Sequence, residues 1–204
     1  MSNDRGQRGR AVRKEQSSEP VVVSLGANGS AHGPVSRTFA HQAPGVLHLA
    51  VSVQLVDLAG QRWLLQRRAA AKALFANRWA NTCCTHPAPG EDPASAASRR
   101  LREETGLVVE DLVSAGSFTY RATDAHSGLV EYEHDVVFVA VADMQAAEPD
   151  PNEISELALL PFEEALGLLQ SDAGVPWAAN VLRRSYIALN RRRPPGTADV
   201  RLFR

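Results

Sequence analysis

Three histidines, one of two adjacent cysteines and two closely spaced glutamates are the residues of this sequence best suited to chemistry. His86 lies in Asn81-Thr82-Cys83-Cys84-Thr85-His86-Pro87, two residues after Cys84. In an extended segment positions i and i+2 share a face, so Cys84 and His86 point the same way. Cys83 points to the other side and reads as a small buried hydrophobe. Glu131 and Glu133, in Glu131-Tyr132-Glu133-His134-Asp135, share a strand face for the same reason. Two such carboxylates repel each other, and a bound cation removes the repulsion and leaves one of them free for proton transfer. Taken alone, the pair reads as a solvated strand end. His41 and His48 also stand out, His48 on the less apolar face of a strand, although a single histidine is more often structural than a ligand. A third group, Glu91, Arg99, Glu103 and Glu104, lies on a helix over 93–104 and the loop leading into it.

The spacing of that third group resembles the Nudix box: Gly, five residues, Glu, seven residues, then R-E-U-x-E-E-x-G-U with U apolar. Arg99-Arg100-Leu101-Arg102-Glu103-Glu104-Thr105-Gly106-Leu107 fills the second half. Two positions depart from the box. Thr85 stands where it opens with Gly, and Arg100 stands at the Glu of its R-E pair. An arginine there removes a metal ligand and adds a phosphate contact. Over roughly residues 20–190 the chain resembles the type I isopentenyl-diphosphate delta-isomerases, which have a Nudix fold. The resemblance rests on motifs in family order: Phe39-Ala40-His41; Leu47-His48-Leu49-Ala50; Arg67-Arg68 followed by Lys72; Trp79 through Pro87; the altered Nudix helix; Tyr120-Arg121-Ala122-Thr123-Asp124; Glu131-Tyr132-Glu133; and Pro176-Trp177.

The resemblance implies interconversion of isopentenyl and dimethylallyl diphosphate through a tertiary carbocation, in isoprenoid biosynthesis. It implies one divalent ion on His41, His48, His86, Glu131 and Glu133. Such a donor set suits Mn²⁺ or Zn²⁺ better than Ca²⁺. Cys84 and Glu133 would exchange protons with the substrate from opposite sides, with Tyr120 assisting Glu133. Trp177 would stabilise the cation through its π face. Glu104 and the backbone carbonyl of Cys84 would hold Mg²⁺ on the diphosphate. Arg37 (usually lysine in the family), Arg68, Lys72 and Arg100 would contact the diphosphate directly. The reaction is redox-neutral and no Gly-rich dinucleotide turn is present, so no flavin or nicotinamide is expected. The alternatives are a Nudix hydrolase of a nucleoside diphosphate derivative and a non-catalytic binding module. The altered box, Cys84 and the histidine set argue against the hydrolase, and the retained Cys and Glu argue against the binding module.

These residues must be positioned by an α/β (α+β) fold, a Nudix-like mixed β-sheet sandwiched between helices. Alternation from Leu47 to Leu55 predicts a strand with one apolar face. A turn at Asp57–Gly60 joins it to a second strand over 63–68, making a hairpin. Structure is expected to begin at Val21–Leu25, with a turn at Gly26–Gly29. Residues 69–80 read as irregular and 79–87 as extended. Asp92, Pro93 and Gly106 mark the ends of the helix over 93–104. Strands follow at about 107–120 and 130–142, and helices at 162–170 and 177–189.

The chain has 204 residues with a formal net charge of −1. Residues 1–18 carry +3 and residues 183–204 carry +6, leaving −10 for the body. An acidic body with basic ends suits bound cations and not nucleic acid. The expected organisation is a disordered basic tail at 1–18, one domain at 19–190 and a basic tail at 191–204. No apolar run approaches the ~20 residues of a membrane span, and no secretory signal is read at the N-terminus. Two adjacent cysteines build no disulfide framework, so a cytoplasmic location is expected. The expected partner is a small isoprenoid diphosphate, without nucleic acid or membrane and with the oligomeric state open.

Overall fold

A computed structural model describes residues 19–192 of the chain. The expected tail at 1–18 lies outside the described residues, as do residues 193–204. The elements in chain order are β1 (Val21–Leu25), β2 (Ala31–Ser36), α1 (Arg37–His41), β3 (His48–Asp57), β4 (Arg62–Arg68), β5 (Trp79–Ala80), β6 (Cys83–Thr85), α2 (Pro93–Thr105), β7 (Val113–Thr123), β8 (Val130–Ala142), a 3₁₀ turn (Met144–Ala146), β9 (Ile154–Pro161), α3 (Phe162–Gln170) and α4 (Ala178–Arg192).

β3 is the centre of a mixed sheet. It runs parallel to β8 from His48 opposite Glu133 to Asp57 opposite Ala142. Its other edge meets three partners in succession, all antiparallel: β1 at His48, β6 at residues 51–53 and β4 at residues 55–56. β4 also pairs with β5 and β9, and β7 pairs with β8. α2 covers one sheet face through Ala97 and Leu101 on Val51, Val53, Leu55 and Leu64. α3 and α4 cover the other through Ala165, Leu169, Val181 and Leu182 on Val56, Trp63, Leu65 and Val137. The sandwiched mixed sheet is the architecture expected from the sequence.

Several local expectations need correction. β3 was expected to have one apolar face, but its less apolar face is buried too: His48, Ser52 and Gln54 are as inaccessible as Val51 and Leu55. The polar residues are tolerated because their groups are paired, as where the Gln54 amide donates to the Leu64 carbonyl at 2.9 Å. β2, α1 and β9 were not expected. The strand expected at about 107–120 begins only at Val113 and runs to Thr123. α4 runs through Arg191 and Arg192, so the expected C-terminal tail starts inside a helix.

α2 forms where the sequence places it. Asp92 Oδ2 accepts from the Ser95 amide at 3.0 Å, and Pro93 fills the first turn, where no donor is needed. Gly106 ends the helix in the left-handed region at φ 72°, and its amide donates to the Arg102 carbonyl. A Cβ at Gly106 would also crowd Glu148 Cβ at 3.1 Å, so the left-handed conformation favours glycine and the tight space adds to that preference.

Candidate active site

The histidines arrive from three elements. His41 ends α1, His48 opens β3 and His86 follows β6. The Arg37 carbonyl accepts from His41 Nδ1 at 2.7 Å, and the Val46 carbonyl accepts from His48 Nδ1 at 2.7 Å. Each carbonyl fixes its ring with the proton on Nδ1 and the Nε2 lone pair inward. The parallel register that sets His48 opposite Glu133 brings in β8. His41 Nε2 then lies 3.0 Å from Glu131 Oε2, and His86 Nε2 lies 2.8 Å from Glu133 Oε1. Ligand atoms of His41, His48, His86, Glu131 and Glu133 all fall within 4.8 Å of one another. The five residues that the sequence nominated for a metal are therefore brought together. His48 Nε2 and His86 Nε2 face each other at 3.1 Å. Two ring nitrogens at that distance need a proton or a cation between them, so the donor set fits a metal ion.

Burial shapes the charge states. His86 is pushed down to about 4, mainly by burial, which keeps its imidazole neutral as a ligand must be. Glu131 is pushed up by burial and by the charge of Glu133. Glu133 is held low because its contacts with His48 and His86 outweigh its burial. The pair thus divides into one carboxyl that keeps its proton readily and one that stays ionised.

Tyr120, opposite Glu133 on β7, donates from its hydroxyl to Glu133 Oε2 at 2.6 Å. Burial and the neighbouring carboxylates push the phenol well above its usual range, so it remains a donor. Tyr120 stacks on Trp177 with centroids 5.4 Å apart, and Phe75 meets Trp177 edge-on at 5.3 Å. Trp177 is buried, and its Nε1 has no hydrogen-bond partner among the described residues. Cys84 faces Ser52 and Asn81, with Ser52 Oγ 3.3 Å from its sulfur. Burial, followed by the charge of Asp135, pushes its thiol up to about 12. Cys83 packs on the α2 side of the sheet, as alternation predicts.

Cys84, His86, Tyr120, Glu131, Glu133 and Trp177 line one cavity of about 260 Å³. Arg37, Lys72, Arg99 and Arg100 stand at its rim and the buried Arg68 lines it deeper, so all four cations nominated for a diphosphate reach it. The Arg68 guanidinium donates to the Leu74 carbonyl and lies 5.9 Å from the Trp177 ring centroid. Lys72 and Arg100 both pair with Glu153, Arg100 at 2.7 Å. Glu104 lies beneath this rim and not in the cavity wall. It is 2% exposed and held by Arg100 Nε at 2.6 Å and Gln66 Nε2 at 3.1 Å.

Sequence reasoning missed Glu153, Ser52 and the part played by Asp135. Asp135 closes the Glu131–Asp135 run, and Ser52 shares the polar side of β3 with His48, so both carried a weak signal. Glu153 carried none, because only the pairing of β9 with β4 brings it to Lys72.

The NUDIX domain family matches residues 46–185. The isopentenyl-diphosphate Delta-isomerase of Streptomyces griseus is 45% identical over 162 residues, 79% of this chain and 80% of the relative. The chain belongs to the isopentenyl-diphosphate delta-isomerase branch of the Nudix family. A second member of that branch, from Nocardia farcinica, is 46% identical over 156 residues, covering 76% of this chain and 87% of its own. The Nudix fold is shared more widely. A crystal structure from Deinococcus radiodurans superposes with a TM-score of 0.62 at 22% identity, over 82% of this chain and 99% of the other. The MutT protein of Methanosarcina mazei superposes with a TM-score of 0.55 at 19% identity, over 72% and 96%. Among the described residues no helix is long and apolar enough to cross a membrane.

Proposed function

We propose that this protein interconverts isopentenyl diphosphate and dimethylallyl diphosphate. One observation carries the reading: a cysteine, a glutamate with its tyrosine donor, and a tryptophan face share a single cavity whose rim is cationic. Moving a double bond inward requires one proton added to a terminal alkene carbon and another lost from the allylic carbon. The intermediate is a tertiary carbocation. It must be kept from nucleophiles, and an aromatic face stabilises it by ~2 kcal/mol or more once desolvated. Trp177 supplies that face in this reading. Cys84 and Glu133 carry the two protons, and Tyr120 holds Glu133 in place. Arg37, Arg68, Lys72 and Arg100 bind the diphosphate.

His41, His48, His86, Glu131 and Glu133 would hold one Mn²⁺ or Zn²⁺; for Glu104 with the Cys84 carbonyl to hold Mg²⁺ at the diphosphate, the Glu104 carboxylate would exchange its contacts with Arg100 and Gln66 for the ion. Bound there, divalent ions supply charge neutralisation and fix the carboxylates. Arg100 occupies the place of a Nudix-box carboxylate and is surrounded by Glu103, Glu104 and Glu153, which disfavours a water-activating hydrolase.

Cys84→Ala against Cys83→Ala tests the reading. Cys84→Ala is expected to fold and lose between about a hundredfold and ten-thousandfold in kcat, the range of a lost acid–base group. Cys83→Ala is expected to keep most turnover. Conversion is followed as dimethylallyl diphosphate formed, and equal losses in the two variants would contradict the assignment.

A further inference from the structure

Asp135 is a buried acid to which the reaction above gives no task. It is 1% exposed. Its Oδ2 accepts from Ser52 Oγ at 2.7 Å, and its Oδ1 has no hydrogen-bond partner among the described residues. A half-satisfied buried carboxyl costs stability, and one that persists calls for a functional explanation.

The sheet register supplies one. Ser52 on β3 pairs with Cys84 on β6, and Asp135 on β8 pairs with Ala50, two residues before Ser52. Three neighbouring strands therefore line up Cys84, Ser52 and Asp135. Ser52 Oγ lies 3.3 Å from Cys84 Sγ and 2.7 Å from Asp135 Oδ2. The hydroxyl has one proton and donates it to Asp135 Oδ2, the nearer partner, so the lone pairs of Ser52 are left for the thiol. On the other side, Asn81 Nδ2 and Oδ1 lie 3.2 and 3.3 Å from the same sulfur. The Asn81 amide is itself pinned, because its Nδ2 donates to the carbonyls of Val53 at 3.1 Å and Cys83 at 2.9 Å.

We propose that Ser52 and Asp135 are positioning residues for Cys84. Asp135 orients the Ser52 hydroxyl, and Ser52, with Asn81 opposite, holds the sulfur in one rotamer against the cavity. The inference rests on the reading of Cys84 as a proton-transfer group. A displaced proton-transfer atom slows the chemical step and leaves substrate binding intact, because the diphosphate is held elsewhere.

The test compares Asp135→Asn, Ser52→Ala and the double variant with Cys84→Ala, reading kcat, KM for isopentenyl diphosphate and Tm. Each single variant is expected to lose about tenfold in kcat, the effect of one hydrogen bond, while KM moves less than about twofold. The double variant is expected to be no slower than the slower single, since the two residues act as one chain. Tm of Asp135→Asn should be unchanged or higher, because a neutral isostere replaces a buried acid. A structural role makes the opposite pattern, with Tm and activity falling together. Wild-type kcat in Asp135→Asn, or losses that multiply in the double variant, overturns the positioning role while leaving Cys84 in place. Full turnover by Cys84→Ala overturns the reading of Cys84 and this inference with it.

Discussion

At the scale of the residue, Trp177 carries two burdens. It is part of the core beneath α4, packed against Phe75, and it is also one wall of the cavity. The Arg68 guanidinium 5.9 Å from its ring centroid already places a positive charge near the π system. If the ring stabilises a carbocation, its worth is greater in the transition state than in the bound substrate. Trp177→Phe keeps a weaker quadrupole and is expected to lower kcat modestly. Trp177→Leu keeps apolar bulk without a π face and is expected to lose ~2 kcal/mol, about thirtyfold in kcat, with KM little changed. Steady-state kinetics and melting curves on both variants separate this from a packing role. Packing alone would make activity follow the folded fraction.

At the scale of the element, what could be read from the sequence is what is written locally. α2 was legible because its Asp92 cap, its Pro93 and its Gly106 stop are adjacent signals. The cap predicts a measurable effect: Asp92→Ala should lower stability by about 1 kcal/mol in denaturant unfolding. Activity per folded molecule should stay the same, since Arg100 and Glu104 lie about two and three turns further along the helix. A change in KM without a change in stability would show that the helix start serves the substrate directly. β2 was illegible because Gly33 and Pro34 are poor strand formers, yet it forms an outer strand of the sheet paired with β1. α1 has five residues, too few to show a helical period. In β9 the apolar residues Leu157-Ala158-Leu159-Leu160 do not alternate, so the strand appears only through its pairing with β4. The residues at 107–112 have strand composition but form a connection, since no neighbouring strand pairs with them.

At the scale of the whole molecule, the site is a product of register. His48 and Glu133 meet because β3 and β8 run parallel, and Cys84 meets Ser52 because β6 pairs antiparallel with the opposite edge of β3. Pairings between distant segments are not written in composition or spacing. The nominated ligands were therefore legible only through resemblance to a family, and the residues behind them, Ser52, Asp135 and Glu153, emerged only once the strands were in place. The central claim is that this assembled cluster and cavity isomerise a diphosphate without cleaving it. The most direct test supplies isopentenyl diphosphate and excess Mg²⁺ to chelator-stripped protein, titrates in Mn²⁺ or Zn²⁺, and follows both dimethylallyl diphosphate and free phosphate. Turnover should be restored and should level off near about one equivalent of ion per chain, as expected for one five-ligand site, with no phosphate released. Phosphate release, or turnover indifferent to removal of the ion, would contradict the account.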